Sequence, residues 1–369
     1  MVKKHVRYAV VGLGHIAQVA VLPAFANARR NSRLAALVSG NPEKLSVLSR
    51  MYSVPKTCGY DRYDELLASG DIDAVYLALP NSLHCEYAVR AARAGVHVLC
   101  EKPMAVTEEE CERMAAAARE GAGRGAVKLM VAYRLHFERA NLEAAAISSS
   151  GRIGEPRQFS AAFTMHVAPG NVRTQQALGG GTLYDIGVYC INAARALFRD
   201  EPVEARCMVA GAVGDVEESA ACLLRFPGER LASFVCSFGS AKVSHYRLIG
   251  EKGDLVVEPG FEYAGTLRHR LTIDGETRER RFAKRDQFAP ELLYFSDCVL
   301  QNRAPEPSAE EGLADVRVIR ALYRSAELGE PVELPPFRRD ERPSLEQEIR
   351  RPPVEKPDVV HAQAPSGGS

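Results

Sequence analysis

From residue 5 to about 131, short apolar runs rich in β-branched residues alternate with stretches of helical spacing, which predicts a parallel sheet with crossover helices. Strands are expected at 5–11, 34–39, 74–79, 96–100 and 127–131, and helices at 15–28, 42–52, 61–68 and 83–94. Thr107 with Glu110 three residues later signals the start of a further helix, which Gly121, Gly123 and Gly125 end. After a helix at 137–150 the pattern becomes that of strands, at 203–213, 220–226, 231–238 and 244–249. Turn chemistry at Pro227-Gly228 and at 251–254 makes them antiparallel. Helices are also expected at 182–198, 290–301 and 310–328. The first half is therefore α/β and the second α+β, with domains at 1–132 and 133–335. Residues 336–369 form a Pro-rich, charge-balanced tail that cannot build its own core. Two readings of the tail stand side by side: a disordered end, or an extended arm over a neighbouring subunit.

Length and composition bound the function classes. The 369 residues suffice for two or three domains of roughly 150 residues each. Hydrophobic residues make up 46% and charged residues 25%, which is the ordinary globular range and not that of a membrane or disordered chain. Lys plus Arg and Asp plus Glu number 47 each, so no global field attracts a polyanion and nucleic acid is not expected as a partner. The nine cysteines are spread singly, without the spacing of a zinc site or a redox pair, so a reducing compartment is expected and no metal. A run without charge from Tyr8 to Ala28 behind Lys3 and Lys4 has some features of a secretory signal. Cleavage there would delete the first strand and its glycine turn, so the cytoplasm is the expected location and no membrane segment is read.

The chemistry begins at Gly12-Leu-Gly14-His-Ile-Ala17, a GxGxxA turn between an apolar strand and a helix. Gly12 permits the tight turn, Gly14 lets the backbone approach a pyrophosphate, and the helix N-terminus at His15 and Ile16 faces the anion. An NAD-selective site of this kind carries Asp or Glu at the end of the second strand, on the ribose hydroxyls. Ser39-Gly40-Asn41 stands there instead, and Lys44 follows on the first helical turn as a partner for a 2′-phosphate, which favours NADP. Pro80, Asn81 and His84 lie just beyond a third strand and Glu101-Lys102-Pro103 beyond a fourth, where open α/β sheets bind ligands. A lysine at that place steadies developing alkoxide charge. Further on, Gly179-Gly180-Gly181 leads into a helix on which Asp185 and Tyr189, four residues apart, share one face, with Asn192 three beyond. Read alone, the alternative is that Asp185 caps the helix dipole and Tyr189 fills the core. His84 and His97 are alternative proton donors, or packing histidines.

Taken jointly, these motifs resemble the Gfo/Idh/MocA family of glucose-fructose oxidoreductase and inositol dehydrogenase over roughly residues 6 to 335. Tyr133-Arg134 and the late segment from Glu310 to Arg317 belong to the same pattern. The resemblance implies a Rossmann domain, then an α+β domain built on a large, mainly antiparallel open sheet whose face packs between subunits, hence a homodimer or homotetramer. It also implies that the late helix, 308–328, returns to the nucleotide domain. By the same resemblance Lys102 is the catalytic lysine, Asp185 contacts substrate, Tyr189 stands where many members carry His, and Arg134 joins the cofactor set with Pro80, Asn81, His84 and Glu101. Val172-Arg173 replaces a common Trp-Arg pair. Tyr189 together with Ser39-Gly40-Asn41 and Lys44 is similar to the NADP-using glucose-fructose oxidoreductase branch. The function expected is NADP(H)-dependent hydride transfer at a hydroxyl or carbonyl carbon of a sugar or polyol. The alternatives are an enzyme that keeps NADP bound and couples two sugars, and a non-catalytic dinucleotide sensor.

Overall fold

The computed structural model describes residues 4–121, 126–339 and 341–367. Gly123 and Gly125, expected to end a helix, lie outside them. The chain divides into two compact units: residues 1–134, 285–313 and 350–369 in the first, and 135–284 with 314–349 in the second.

The first unit holds six strands, β1 (Val6–Val11), β2 (Ser32–Val38), β3 (Lys56–Cys58), β4 (Ala74–Leu77), β5 (His97–Glu101) and β6 (Leu129–Ala132), in the order β3-β2-β1-β4-β5-β6. All five pairings are parallel. The chain winds outward from β1 to one edge and then from β4 to the other, the doubly wound order with its switch point between β1 and β4. Helices cover both faces, which is why β4 reads as an unbroken apolar run, Ala-Val-Tyr-Leu, buried throughout. The edge strand β3, Lys-Thr-Cys, is exposed and carries no apolar run, so the hydrophobic pattern gave no sign of it. Thr107 caps the helix Glu108–Glu120 by accepting the Glu110 N–H at 3.2 Å. The Glu110 carboxylate returns one residue further out than a capping box, to the N–H of Val106. Helix Ala289–Leu300 packs on the sheet through Ser296, whose hydroxyl meets Tyr8 at 2.7 Å and Ser32 at 2.8 Å.

The second unit is built on nine strands: β7 (Pro156–His166), β8 (Glu204–Val213), β9 (Val216–Phe226), β10 (Arg230–Ser237), β11 (Gly239–Gly250), β12 (Gly253–Val257), β13 (Leu267–Ile273), β14 (Glu276–Phe282) and β15 (Val332–Glu333). Their order is β14-β13-β12-β11-β7-β10-β9-β8-β15, and only the β10–β7 pairing is parallel. The large, mainly antiparallel sheet expected from the resemblance is thus present. Helices Arg139–Ser149 and Val188–Phe198 lie on one face, fixed by Tyr246 Oη donating to Asn141 Oδ1 at 2.9 Å and by contacts among Ala140, Leu267 and Phe282. Strand β14 escaped the sequence reading because Arg and Glu dominate it: every residue but Phe282 is exposed, as suits an edge strand.

The late helix, Ala309–Leu328, begins in the first unit, where Gly312 sits so close to Met104 that a Cβ would stand 2.7 Å from it. The Pro-rich tail lies on its own chain. In the second unit Arg342 meets Glu201 and Glu348 meets Arg139, both at 2.8 Å; in the first unit residues 351–361 run along the nucleotide-side helix. Among the described residues no helix is long and apolar enough to cross a membrane.

Candidate active site

In the first unit the C-terminal ends of four strands finish level. Val11 pairs with both Val38 and Leu77, and Leu77 with Cys100. The loops leaving that edge carry Gly12, Ser39, Pro80 and Lys102, on the side where open parallel sheets take ligands.

Gly12 has φ +92°, and a Cβ there would stand 2.4 Å from the Ala78 carbonyl oxygen. The protein's own backbone excludes a side chain at that point. Gly14 is different, because no atom beyond its immediate chain neighbours lies within 4 Å of a Cβ built on it. Open space beside a glycine at a helix N-terminus is a cradle for a group the chain does not supply, and a dinucleotide pyrophosphate fits it. His15 and Ile16 open the helix, which widens into a π turn at Ala17–Val21, and Ala17 is wholly buried.

At the second loop Ser39 Oγ accepts the Asn41 N–H at 3.2 Å, and Asn41 Oδ1 accepts the Lys44 N–H at 3.0 Å. Both oxygens serve the turn and the cap of helix Pro42–Met51, and Gly40 lies against the Tyr60 ring. No carboxylate occupies the strand end. The Lys44 ammonium is half-buried, and that burial holds it below the ordinary lysine range.

His84 is wholly buried, with Nδ1 2.9 Å from the Pro103 carbonyl and Nε2 3.0 Å from the Leu79 carbonyl. Both ring nitrogens are occupied by backbone. His84 therefore ties the Pro80 loop to the Lys102-Pro103 loop, and neither its expected cofactor contact nor a proton-donor role survives. Burial lowers its proton affinity, against the opposing pull of the backbone carbonyls. His97 accepts the Lys128 N–H at 3.0 Å, which is a packing role.

Glu101 accepts the Tyr76 hydroxyl at 2.8 Å and, through its other oxygen, the Lys102 N–H at 3.3 Å. Burial pushes its carboxyl above the usual range, against the pull of the Lys102 charge and the Tyr76 hydroxyl. Asn81 and Lys102 are only partly buried beside these inward groups. Arg134, 5% exposed, donates to Gln287 Oε1 at 2.5 Å. Glu291 is wholly buried with no hydrogen-bond partner on either oxygen. Burial, and then the Glu101 charge, push it well above the carboxylate range. Gln287 and Glu291 escaped the sequence reading; the one available signal was an acid inside an apolar helix, Ala289–Leu300.

In the second unit, Asp185 and Tyr189 are partly accessible while Tyr184, Ile186, Gly187, Val188 and Cys190 are buried. They lie on a π turn, Leu183–Gly187, that runs into helix Val188–Phe198. Tyr189 packs edge-on to Phe163 at 5.6 Å. Asp185 Oδ2 accepts Arg173 Nε at 2.8 Å, so Arg173, read from sequence only as a departure from a family pattern, joins the site. The triple glycine answers to packing: a Cβ on Gly180 would stand 2.4 Å from the Arg173 carbonyl oxygen, and one on Gly181 2.3 Å from Tyr323 Oη. Asn192 is structural, held between His136 at 2.8 Å and Asp315 at 2.9 Å.

Residues 6–147 match the family described as "Oxidoreductase family, NAD-binding Rossmann fold", and residues 141–256 match the "GFO/IDH/MocA C-terminal domain". The chain belongs to the Gfo/Idh/MocA oxidoreductase family. A D-xylose 1-dehydrogenase (NADP+) of Haloarcula marismortui is 33% identical over 340 residues, 89% of this chain and 93% of that one. The dTDP-3,4-didehydro-2,6-dideoxy-alpha-D-glucose 3-reductase of Actinomadura kijaniata is 32% identical over 87% of this chain and 96% of its own. Among solved structures, an aldose-aldose oxidoreductase from Caulobacter crescentus complexed with glycerol superposes with TM-score 0.84 and 38% identity, covering 89% of this chain and 100% of that one. Gfo/Idh/MocA membership bears out the resemblance read from the Gly12, Lys102 and Tyr189 motifs and makes the protein an enzyme.

Proposed function

We propose that the protein is an aldose dehydrogenase, transferring hydride between NADP(H) and a hydroxyl or carbonyl carbon of a sugar or polyol. The observation that carries this reading is Lys102, set beside the buried Glu101 on the same sheet edge as the open cradle at Gly14. Ser39 in place of a strand-end carboxylate, with Lys44 on the next turn, supports NADP over NAD, as do the NADP-named relatives. In this reading residues 1–132, with Arg134 just beyond them, hold the dinucleotide through Gly12, Gly14, His15, Ile16, Ser39, Gly40, Asn41, Lys44, Pro80, Asn81, Glu101 and Lys102. Residues 133–335 bind substrate and mediate assembly.

When bound, the dinucleotide supplies the hydride acceptor or donor. Tyr189 takes the proton from the substrate hydroxyl as the carbon loses hydride, and returns it in the reducing direction. The Lys102 ammonium steadies the alkoxide. Asp185 accepts a hydrogen bond from a substrate hydroxyl, its carboxylate held by Arg173. Lys102→Ala and Tyr189→Phe are expected to lower kcat by at least a hundredfold while NADPH still binds; near-normal turnover in either removes that residue from the mechanism.

A second reading, in which NADP stays bound while one sugar is oxidised and another reduced, is favoured by the C-terminal segment that meets Gln18 behind the glycine turn and by likeness to the aldose-aldose enzyme. Assembly is proposed through the outer face of the large sheet. Met208, Ala221 and Val235 lie in one row across β8, β9 and β10, and Met208, Leu223, Leu231 and Val235 are 73%, 52%, 48% and 47% exposed. Leu223→Arg should lower the mass measured by light scattering; a monomeric parent would refute the interface. The nine free thiols support a cytoplasmic location.

A further inference from the structure

Gln18 lies just inside the helix behind the glycine turn and is 1% exposed. Nε2 donates to the Leu13 carbonyl and to the Val360 carbonyl, both at 2.9 Å, and Oε1 accepts the Val360 N–H at 2.7 Å. Leu13 stands between Gly12 and Gly14. One buried carboxamide thus joins the C-terminal segment to the turn that faces the pyrophosphate, and without Val360 it would keep one of these three hydrogen bonds.

The next residue, His361, meets Glu43 at 2.7 Å and adopts φ +46°, a conformation a non-glycine residue holds only where its surroundings fix it. Glu43 precedes Lys44, the proposed partner of the 2′-phosphate. Upstream, Asn27, in the turn that follows the same helix, donates to the Pro352 carbonyl at 2.9 Å, and its own carbonyl accepts Arg351 Nε at 3.1 Å. The segment is therefore pinned at both ends of the helix that opens on the nucleotide, all within the first unit.

We propose that residues 351–361 form a strap belonging to the nucleotide site, which orders the glycine turn through Gln18, closes the ribose-phosphate corner at Glu43 and Lys44, and slows NADP(H) release. This rests on the reading that Gly12 to Lys44 hold NADP(H), and it supplies a physical basis for retaining the dinucleotide between half-reactions. Neither the glycine turn nor Lys44 alone accounts for a buried glutamine whose amide is completed by a residue 342 positions away.

Stopped-flow displacement of NADPH by excess NADP compares the full chain with one ending at Ile349. The deletion is expected to speed release at least tenfold and to reduce the dinucleotide that co-purifies; rates within twofold of each other overturn the proposal. Should the shortened chain fail to fold, Val360→Pro in the full chain removes the N–H that Gln18 accepts. The same acceleration is expected there, and an unchanged rate overturns the strap equally. An intact chain that binds NADPH and oxidises an aldose, yet releases NADPH as fast as the shortened chain, leaves the functional reading standing and removes the strap. An intact chain that binds no NADPH sinks both.

Discussion

Glu291 offers a test of the electrostatics beneath the Lys102 loop. Its carboxyl is fully buried without a hydrogen-bond partner, faces the like charges of Glu101 and Asp286, and has Arg134 as the opposing charge. Burial dominates, so the folded state favours the protonated acid while the unfolded chain releases its proton near the ordinary value of about 4.3. Above that pH, and up to the raised folded value, the native state binds one proton more than the unfolded state. Stability therefore falls as pH rises, by about 1.4 kcal/mol per pH unit for each such proton. Glu101 is raised by the same cause and adds a slope of the same sign. Glu291→Gln keeps the shape and removes one share of that slope. A domain of roughly 150–250 residues shifts about 2–4 °C per kcal/mol, so the Tm of the variant should gain on the parent by about 3–6 °C per pH unit above pH 5. Calorimetry of both proteins without nucleotide, from pH 4 to 9, measures it. An ion pair with Arg134 would instead hold the carboxylate charged and make the variant lose ground as pH rises. That outcome, or a gap independent of pH, would refute the reasoning.

Two further substitutions separate causes that sit side by side in the site. Gly12→Ala sets a Cβ against the Ala78 carbonyl at positive φ and should cost about 2–4 kcal/mol of stability, whereas Gly14→Ala should leave Tm nearly unchanged and weaken NADPH binding in a fluorescence titration. Equal losses of stability in the two would defeat the distinction. Arg173→Ala removes a charged hydrogen bond from a partly exposed Asp185; discounted for solvent, about 1–2 kcal/mol of transition-state stabilisation is lost, or roughly 5–30-fold in kcat/KM for the sugar. NADPH affinity should hold, and an unchanged kcat/KM would make Arg173 a bystander.

The legible parts of the fold were those where one physical cause dominates. Strands β1, β2, β4, β5 and β6 are buried apolar runs, and the helices between them carry helical spacing with caps such as Asn41 and Thr107. Strand β14 was illegible because an edge strand is chosen for its backbone and for charges that repel further pairing, and Glu-Thr-Arg-Glu-Arg-Arg has no apolar period to detect. The tail was illegible for a different reason: the hydrogen bonds that anchor it go to residues between 141 and 342 positions away, so nothing local announces them. In the site, residue type and position put forward Lys102, Asp185 and Tyr189 as candidates, whereas His84 could not be placed that way, because a polar residue beyond a strand end looks the same whether it faces a ligand or two carbonyls.

Glycine shows most clearly what separates pattern from cause. Gly12, Gly14, Gly180 and Gly181 all stand in loops that sequence marks as functional. A Cβ would meet the protein's own carbonyl at Gly12 and Gly180, a tyrosine hydroxyl at Gly181, and nothing at Gly14. Three of these positions are thus explained by the fold without reference to any ligand. Only at Gly14 does the protein leave unexplained why a side chain is missing, and it does so at a helix N-terminus, on the edge of the sheet, with Gln18 holding the neighbouring carbonyl of Leu13. The case for a bound anion rests on that one empty side more than on the motif as a whole. The same reasoning makes the second glycine run a packing device at the entrance to the turn that carries Asp185.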